Sequence, residues 1–251
     1  MRTSTITTAI GITLALNTGT ILAESVTLTT LEWPPYTSEA LPQGGATTAV
    51  VKMALESVGL KAEVSTLPWK RAIADAKHNA QYVAYFPGYH CRHVDGFVAS
   101  DPVGNGPLGF AENTQSPFTW ENLDHIGEQK LTIGTVLGYS NTDEFDKKAG
   151  TGWIKVVQAK DDLTNLRKLL RKRIDAAVID KLVLSYMLAT ESELADSAKF
   201  LKFDERALED KLLYLCFVDD ENGRALRDRF NKGLANLDIQ KIVDRYFDEE
   251  F

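Results

Sequence analysis

Residues 26–36 read Val-Thr-Leu-Thr-Thr-Leu-Glu-Trp-Pro-Pro-Tyr, and the first six of them set how the chain begins. Val26 to Leu31 is β-branched and alternating, the pattern of a strand with one face on a core. Beyond it, Val50, Met53, Ala54 and Ser57 recur at helical spacing within Ala46 to Val58. Gly59 then stands where a helix C-terminus favours glycine. Ala62 to Thr66 reads as a second strand, and Trp69 to Asn79 as a second helix. Tyr82 to Phe86 is a third strand, stopped by Pro87-Gly88. Strand–helix–strand–helix–strand predicts a mostly parallel sheet covered by helices.

The same order returns further along. Lys130 to Val136 is a strand running into Leu137-Gly138-Tyr139-Ser140-Asn141-Thr142, with helix signals over Asp143 to Lys147. Trp153 to Val157 is a strand, and Leu163, Leu166, Leu169 and Leu170 form the buried stripe of a helix. Ile174 to Ile179 is a strand and Lys181 to Ala189 a helix. Lys211 to Val218 supplies a further strand. Two amphipathic helices close the chain, one with Leu226, Phe230, Leu234 and Leu237, the other with Ile242, Val243, Tyr246 and Phe247.

Two successive units predict an α/β protein of two lobes, with two mostly parallel, helix-covered sheets joined by two crossing segments. The crossings are expected near Ala111 to Pro117 and Phe200 to Leu208, where periodicity is lost. Lobe 1 would hold residues 24–112 and 206–251, and lobe 2 residues 113–205. Gly104-Asn105-Gly106-Pro107-Leu108-Gly109 reads as a loop. Open α/β sheets bind ligands outside the carboxyl ends of their strands, so two facing sheets make a cleft.

The 251 residues are 44% hydrophobic and 25% charged, the balance of a folded chain with enough length for two modest cores. A net charge of −7 argues against nucleic acid, which is gripped by basic patches. Arg2, the apolar run Ala9 to Leu16 and the small residue Ala23 have the layout of a secretory signal over residues 1–23, cleaved after Ala23. That run is shorter than the ~20 residues a bilayer span needs. No later segment is long and apolar enough, so a periplasmic product that is not membrane-embedded is expected. In an oxidising compartment Cys91 and Cys216 would form either one long-range disulfide or two buried thiols.

Several short motifs follow one another in order: Leu31-Glu32-Trp33-Pro34-Pro35-Tyr36, Leu67-Pro68-Trp69-Lys70-Arg71-Ala72, Ser100-Asp101-Pro102 and Gly138-Tyr139-Ser140. Arg173-Ile174-Asp175-Ala176-Ala177 with Asp180, and the closing Ile242-Val243-Asp244-Arg245-Tyr246-Phe247, complete the set. Together they resemble the amino-acid-type bacterial extracellular solute-binding proteins, family 3, across nearly the whole chain after residue 23. The resemblance implies a two-lobed, periplasmic-binding-protein-like fold of type II. It implies a monomer that captures a small-molecule ligand, an amino acid or related zwitterion, and hands it to the membrane permease of an ABC importer. No cofactor and no catalytic residue are implied. A periplasmic lyase resembling cyclohexadienyl dehydratase is the alternative on the same fold.

A zwitterion needs a cation, an anion and flat apolar walls. Arg92 is the nearest match to the family's carboxylate-binding arginine and offers a bidentate fork; a surface or inter-lobe salt bridge is its other use. Asp180, at a strand's carboxyl end, matches the ammonium-binding aspartate and equally suits the N-cap of the next helix. Ser140, Asn141 and Thr142 follow a strand-to-helix glycine turn, where free N–H groups receive an anion or are simply capped. Trp33, Tyr36, Trp69 and Tyr85 are core aromatics or ligand walls. His90-Cys91-Arg92-His93 supplies too few ligands for a zinc site.

Overall fold

The chain, described over residues 24–250 in a computed structural model, builds two βαβαβ units and threads two long strands through both. The expected signal over residues 1–23 lies outside the described residues. The first unit comprises β1 (Glu24–Thr30), α1 (Ala46–Glu56), β2 (Leu60–Thr66), α2 (Trp69–His78) and β3 (Tyr82–Gly88), followed by the short β4 (Phe97–Ala99). β1 lies between β2 and β3, parallel to both. The alternation at 26–31 does what a half-buried strand requires, with Val26 and Leu28 in the core. Gly59 takes φ 74° just after α1, a conformation that costs glycine little.

Next come β5 (Gly104–Asn113) and α3 (Leu123–Glu128). The second unit follows as β6 (Thr132–Val136), α4 (Asp143–Gly150), β7 (Lys155–Ala159), α5 (Asp162–Leu170), β8 (Ala176–Asp180) and α6 (Lys181–Thr190). β6 is the parallel neighbour of β7 and β8. The chain ends with β9 (Leu201–Phe203), β10 (Glu209–Val218), α7 (Glu221–Leu234) and α8 (Ile239–Glu250).

β5 and β10 weld the two units into one ten-stranded sheet, ordered β2-β1-β3-β10-β5-β8-β6-β7 with β4 and β9 off that path. Residues 209–213 of β10 pair antiparallel with 104–108 of β5. The rest of β10 pairs with β3 and β4, and the rest of β5 with β8 and β9. Residues 104–109 are therefore strand, not the loop expected from their glycines and Pro107. The glycines mark close approach instead of a turn. A methyl group on Gly109 would come within 2.5 Å of the Phe203 ring, and one on Gly106 would collide with Asp180 and Tyr36. α3, which the sequence reading omits, is capped by Asn122 accepting from the His125 N–H and buries Leu123 and Ile126.

The largest apolar cluster runs from Leu28, Val50 and Leu55 through Trp33 and Tyr36 to Ile179 and Val183, with Phe230 and Leu234 of α7 sealing it. A second, around Phe110, Phe145 and Ile126, fills the other face of the second unit. Burial of such side chains contributes about 25 cal/mol per Å2, so both units have cores of their own. No helix among the described residues is long and apolar enough to cross a membrane.

Candidate functional site

β3 and β6 end facing one another, with the segment after β1 beside them, and a cavity of about 180 Å3 lies where they meet. The first half contributes Trp33, Trp69, Tyr85 and Tyr89 to its walls; the second contributes Tyr139 and Ser140. Trp33 stacks on Tyr36 with ring centres 4.5 Å apart and meets Tyr89 edge-on at 5.9 Å. Trp69 is edge-on to Tyr85 at 5.4 Å and to Tyr139 at 6.5 Å. Rings held edge to face leave other faces free for a ligand.

Polar contacts near the cavity also bridge the halves. Tyr36 Oη donates to Asp180, 3.1 Å from each carboxyl oxygen. Trp69 Nε1 donates to the Gly138 carbonyl at 3.2 Å, across the cavity mouth. Arg92 Nη2 pairs with Asp143 Oδ2 at 3.2 Å, both side chains exposed to solvent.

Of the residues singled out from sequence, Trp33, Trp69, Tyr85 and Ser140 line the cavity, and Tyr36 stands directly behind Trp33. Asn141 and Thr142 sit beside it but serve α4. Asn141 bonds Asp146 through its backbone and side-chain nitrogens, and Thr142 Oγ1 accepts from the Phe145 N–H. Asp180 is 2% exposed at the end of β8. It caps α6 by accepting from the Leu182 and Val183 N–H groups at 2.8 and 3.2 Å. Arg92 is not brought into the lining; it stays at the surface on the Asp143 pair.

Residues the sequence reading did not single out complete the surroundings. Asp162, on the first turn of α5, is buried, and burial pushes its carboxyl up to about 7, with Asp180 and Asp161 adding repulsion. Burial likewise raises Asp180 to about 7, against the opposing pull of its N–H and Tyr36 donors. The charges of Asp162 and Asp180 reach the Tyr89 ring, and Asp162 reaches Tyr139. Lys211, fully buried on β10, has Nζ 2.8 Å from His90 Nε2 and 3.2 Å from Glu209, and lies 5.4 Å from the Tyr89 ring centre. Cys91 and Cys216 are joined by a disulfide, their Cα atoms 5.3 Å apart, which ties the turn after His90 to β10.

Gly106 allows Tyr36 and Asp180 to meet, because a side chain there would occupy the space of both. Gly106→Ala is expected to lower unfolding free energy by ~1–3 kcal/mol through overpacking. Urea titration measures it, and an unchanged midpoint would show that the Tyr36–Asp180 contact is slack.

Against solved structures, an ancestral arginine-binding protein with arginine bound superposes at TM-score 0.69 and 16% identity, over 90% of this chain and 98% of that one. The periplasmic VFT2 domain of Bordetella pertussis BvgS gives 0.69 and 19%, over 88% and 93%. The Nostoc punctiforme GluR0 ligand-binding core in complex with L-glutamate gives 0.68 and 15%, over 90% and 99%. This is the two-lobed periplasmic-binding-protein fold. The aromatic cavity lies between its halves, at the facing strand ends where this architecture places ligands. No protein-family model and no curated protein sequence matches the chain.

Proposed function

We propose that the chain is a solute-binding protein. It captures a small polar solute, an amino acid or related zwitterion, between its lobes and delivers it to the permease of an ABC-type importer. The observation that carries this reading is the aromatic cavity at the facing strand ends, closed over by contacts from both halves. A ligand touching both walls favours closure by adding contacts that the open form lacks. Lobe 1 comprises residues 24–112 and 206–251 and lobe 2 residues 113–205, with Trp33, Tyr36, Trp69, Tyr85, Ser140 and Asp180 as the contributing site residues. The signal over residues 1–23 exports the chain to the periplasm, where the Cys91–Cys216 disulfide is at home, and the protein works as a monomer.

The test is a thermal-shift screen of amino acids, amines and small organic acids, with the compounds assayed for turnover afterwards. A ligand at 100 times its dissociation constant is expected to stabilise the protein by ~2.7 kcal/mol without being consumed. Conversion of a bound compound would overturn capture in favour of the lyase alternative.

A further inference from the structure

β6 delivers its carboxyl end to the cavity, and its amino end lies at the opposite pole of the second unit, with those of its parallel neighbours β7 and β8. The register fixes what meets there. Thr132 pairs with Lys155, and the Asp175 N–H donates to the Thr132 carbonyl. The turns entering the three strands therefore lie side by side, spaced by ~5 Å per strand.

Those turns are basic. Lys130 leads into β6, Lys155 opens β7, and Arg171-Lys172-Arg173 leads into β8. All are exposed, and none forms an ion pair with a described residue. Cations on a last helical turn offset the helix dipole, which accounts for Arg167 and Lys168 of α5 but not for Lys155 on a strand or for Lys172 and Arg173 beyond the helix. The acids at this pole leave them uncovered. Asp175 accepts from the Thr132 N–H, Glu128 ends α3, and Asp124 and Glu144 are held by Lys148. Glu191, Glu193 and Asp196 follow α6 towards β9, on the β5 side of β8, and Glu193 is taken by Arg167. On a chain of net charge −7, a cationic pole makes the molecule electrically lopsided.

Trp153 stands among these cations. It is 47% exposed on the turn before β7, with its indole seated on Gly127 of α3, where an added methyl would fall 2.4 Å from Nε1. The Gly127 carbonyl accepts from the Lys130 N–H, so the ring and that lysine share one turn. An exposed indole flanked by lysine and arginine suits the headgroup level of a bilayer, where the ring meets the apolar boundary and the cations meet lipid phosphates. Lys130, Lys155 and Lys172 favour lipid over a folded partner, because protein interfaces are depleted in lysine whereas anionic headgroups attract both basic side chains.

We infer that this pole is a docking surface for an anionic phospholipid bilayer, with Trp153 at the interface and Lys130, Lys155, Arg171, Lys172 and Arg173 on the headgroups. The cavity lies at the other end of the same strands, so attachment keeps it clear of the lipid. The inference stands independently of what the cavity captures.

Co-sedimentation of the full chain with vesicles tests it, using phosphatidylcholine alone and an equal mixture with phosphatidylglycerol. At low salt the parent is expected to bind the mixed vesicles ~30-fold or more tighter than the neutral ones. Raising the salt to about 1 M, where the screening length is about 3 Å, should release it. Lys130→Gln, Lys155→Gln, Lys172→Gln and Arg173→Gln made together should weaken binding to the mixed vesicles by ~10-fold or more, and Trp153→Ala by about threefold or more. The replaced side chains are exposed, so circular dichroism melts should match the parent. The apolar run over residues 9–16 is common to every chain, so the differences between them report this surface. Equal binding to neutral and mixed vesicles would overturn the inference, as would unchanged binding in either variant. Failure of the parent to bind the mixed vesicles would overturn it too, and retention on poly-L-glutamate in that case would assign the surface to an acidic protein.

Discussion

Replacing both Cys91 and Cys216 with alanine is expected to cost ~2–5 kcal/mol of unfolding free energy. The bridge spans a sequence separation of 125, so it restricts a large part of the unfolded chain. In the chain-entropy picture a loop of that length is worth about 5 kcal/mol. Alanine is the fitting replacement because both sulfurs are buried among Tyr85, Phe97 and Ala76, where a serine hydroxyl would need a partner. The loss reaches the site as well. Cys91 opens the turn that follows His90, and Cys216 sits against Gly88 of the cavity wall, so the pair holds one wall of the cavity to β10. Urea unfolding of the parent, the reduced parent and the double variant measures the effect. Free-thiol labelling of the unfolded, unreduced parent should find none; two reactive thiols, or a variant as stable as the parent, would refute the expectation.

The parts legible in the sequence are those whose cause is local. Val26 to Leu31 alternates because one face of β1 is core, and the Leu163, Leu166, Leu169 and Leu170 stripe reports which side of α5 is buried. Thr142 and Asp180 are visible as caps because a cap needs only its own next turn. β5 was hidden for the opposite reason. Gly106 and Gly109 look like loop residues until Tyr36, Asp180 and Phe203 are brought against them from distant parts of the chain. Arg92 offers the right chemistry for a carboxylate, but it sits on an exposed turn, and no local pattern reports that Asp143 reaches it from the other half. Asp161-Asp162 before an apolar stripe reads as a helix start; only the packing distinguishes the residue that caps from the one that is buried. The Lys211–His90 contact likewise joins residues far apart in the chain. Fold was therefore written in periodicity, whereas the surroundings of the cavity were written in long-range contacts.

Two buried carboxyls give the largest pH effect expected of the empty protein. Asp162 and Asp180 have folded-state values pushed up to about 7 by burial, while in the unfolded chain they return to the ordinary carboxylate range near ~4. Between those limits the folded state holds protons that the unfolded state has released, so stability falls as pH rises from about 4 to about 7 and levels off above. One carboxyl moved that far corresponds to about 4 kcal/mol, and the two are coupled, so their effects do not simply add. Asp180 keeps compensation when ionised, from the Leu182 and Val183 N–H groups and Tyr36, with Asp210 opposing. Asp162 has only its own backbone N–H to offset burial and the repulsion of Asp180 and Asp161. Asp162→Asn is therefore expected to raise stability at pH 8 by about 2–4 kcal/mol but at pH 5 by only about 1 kcal/mol, because there the unfolded carboxyl has ionised and only the first part of the parent's loss has occurred. Urea titrations of parent and variant at pH 5 and pH 8 decide the point. A stability difference between parent and Asp162→Asn that is the same at both pH values would mean that Asp162 is already compensated by a partner in the folded protein.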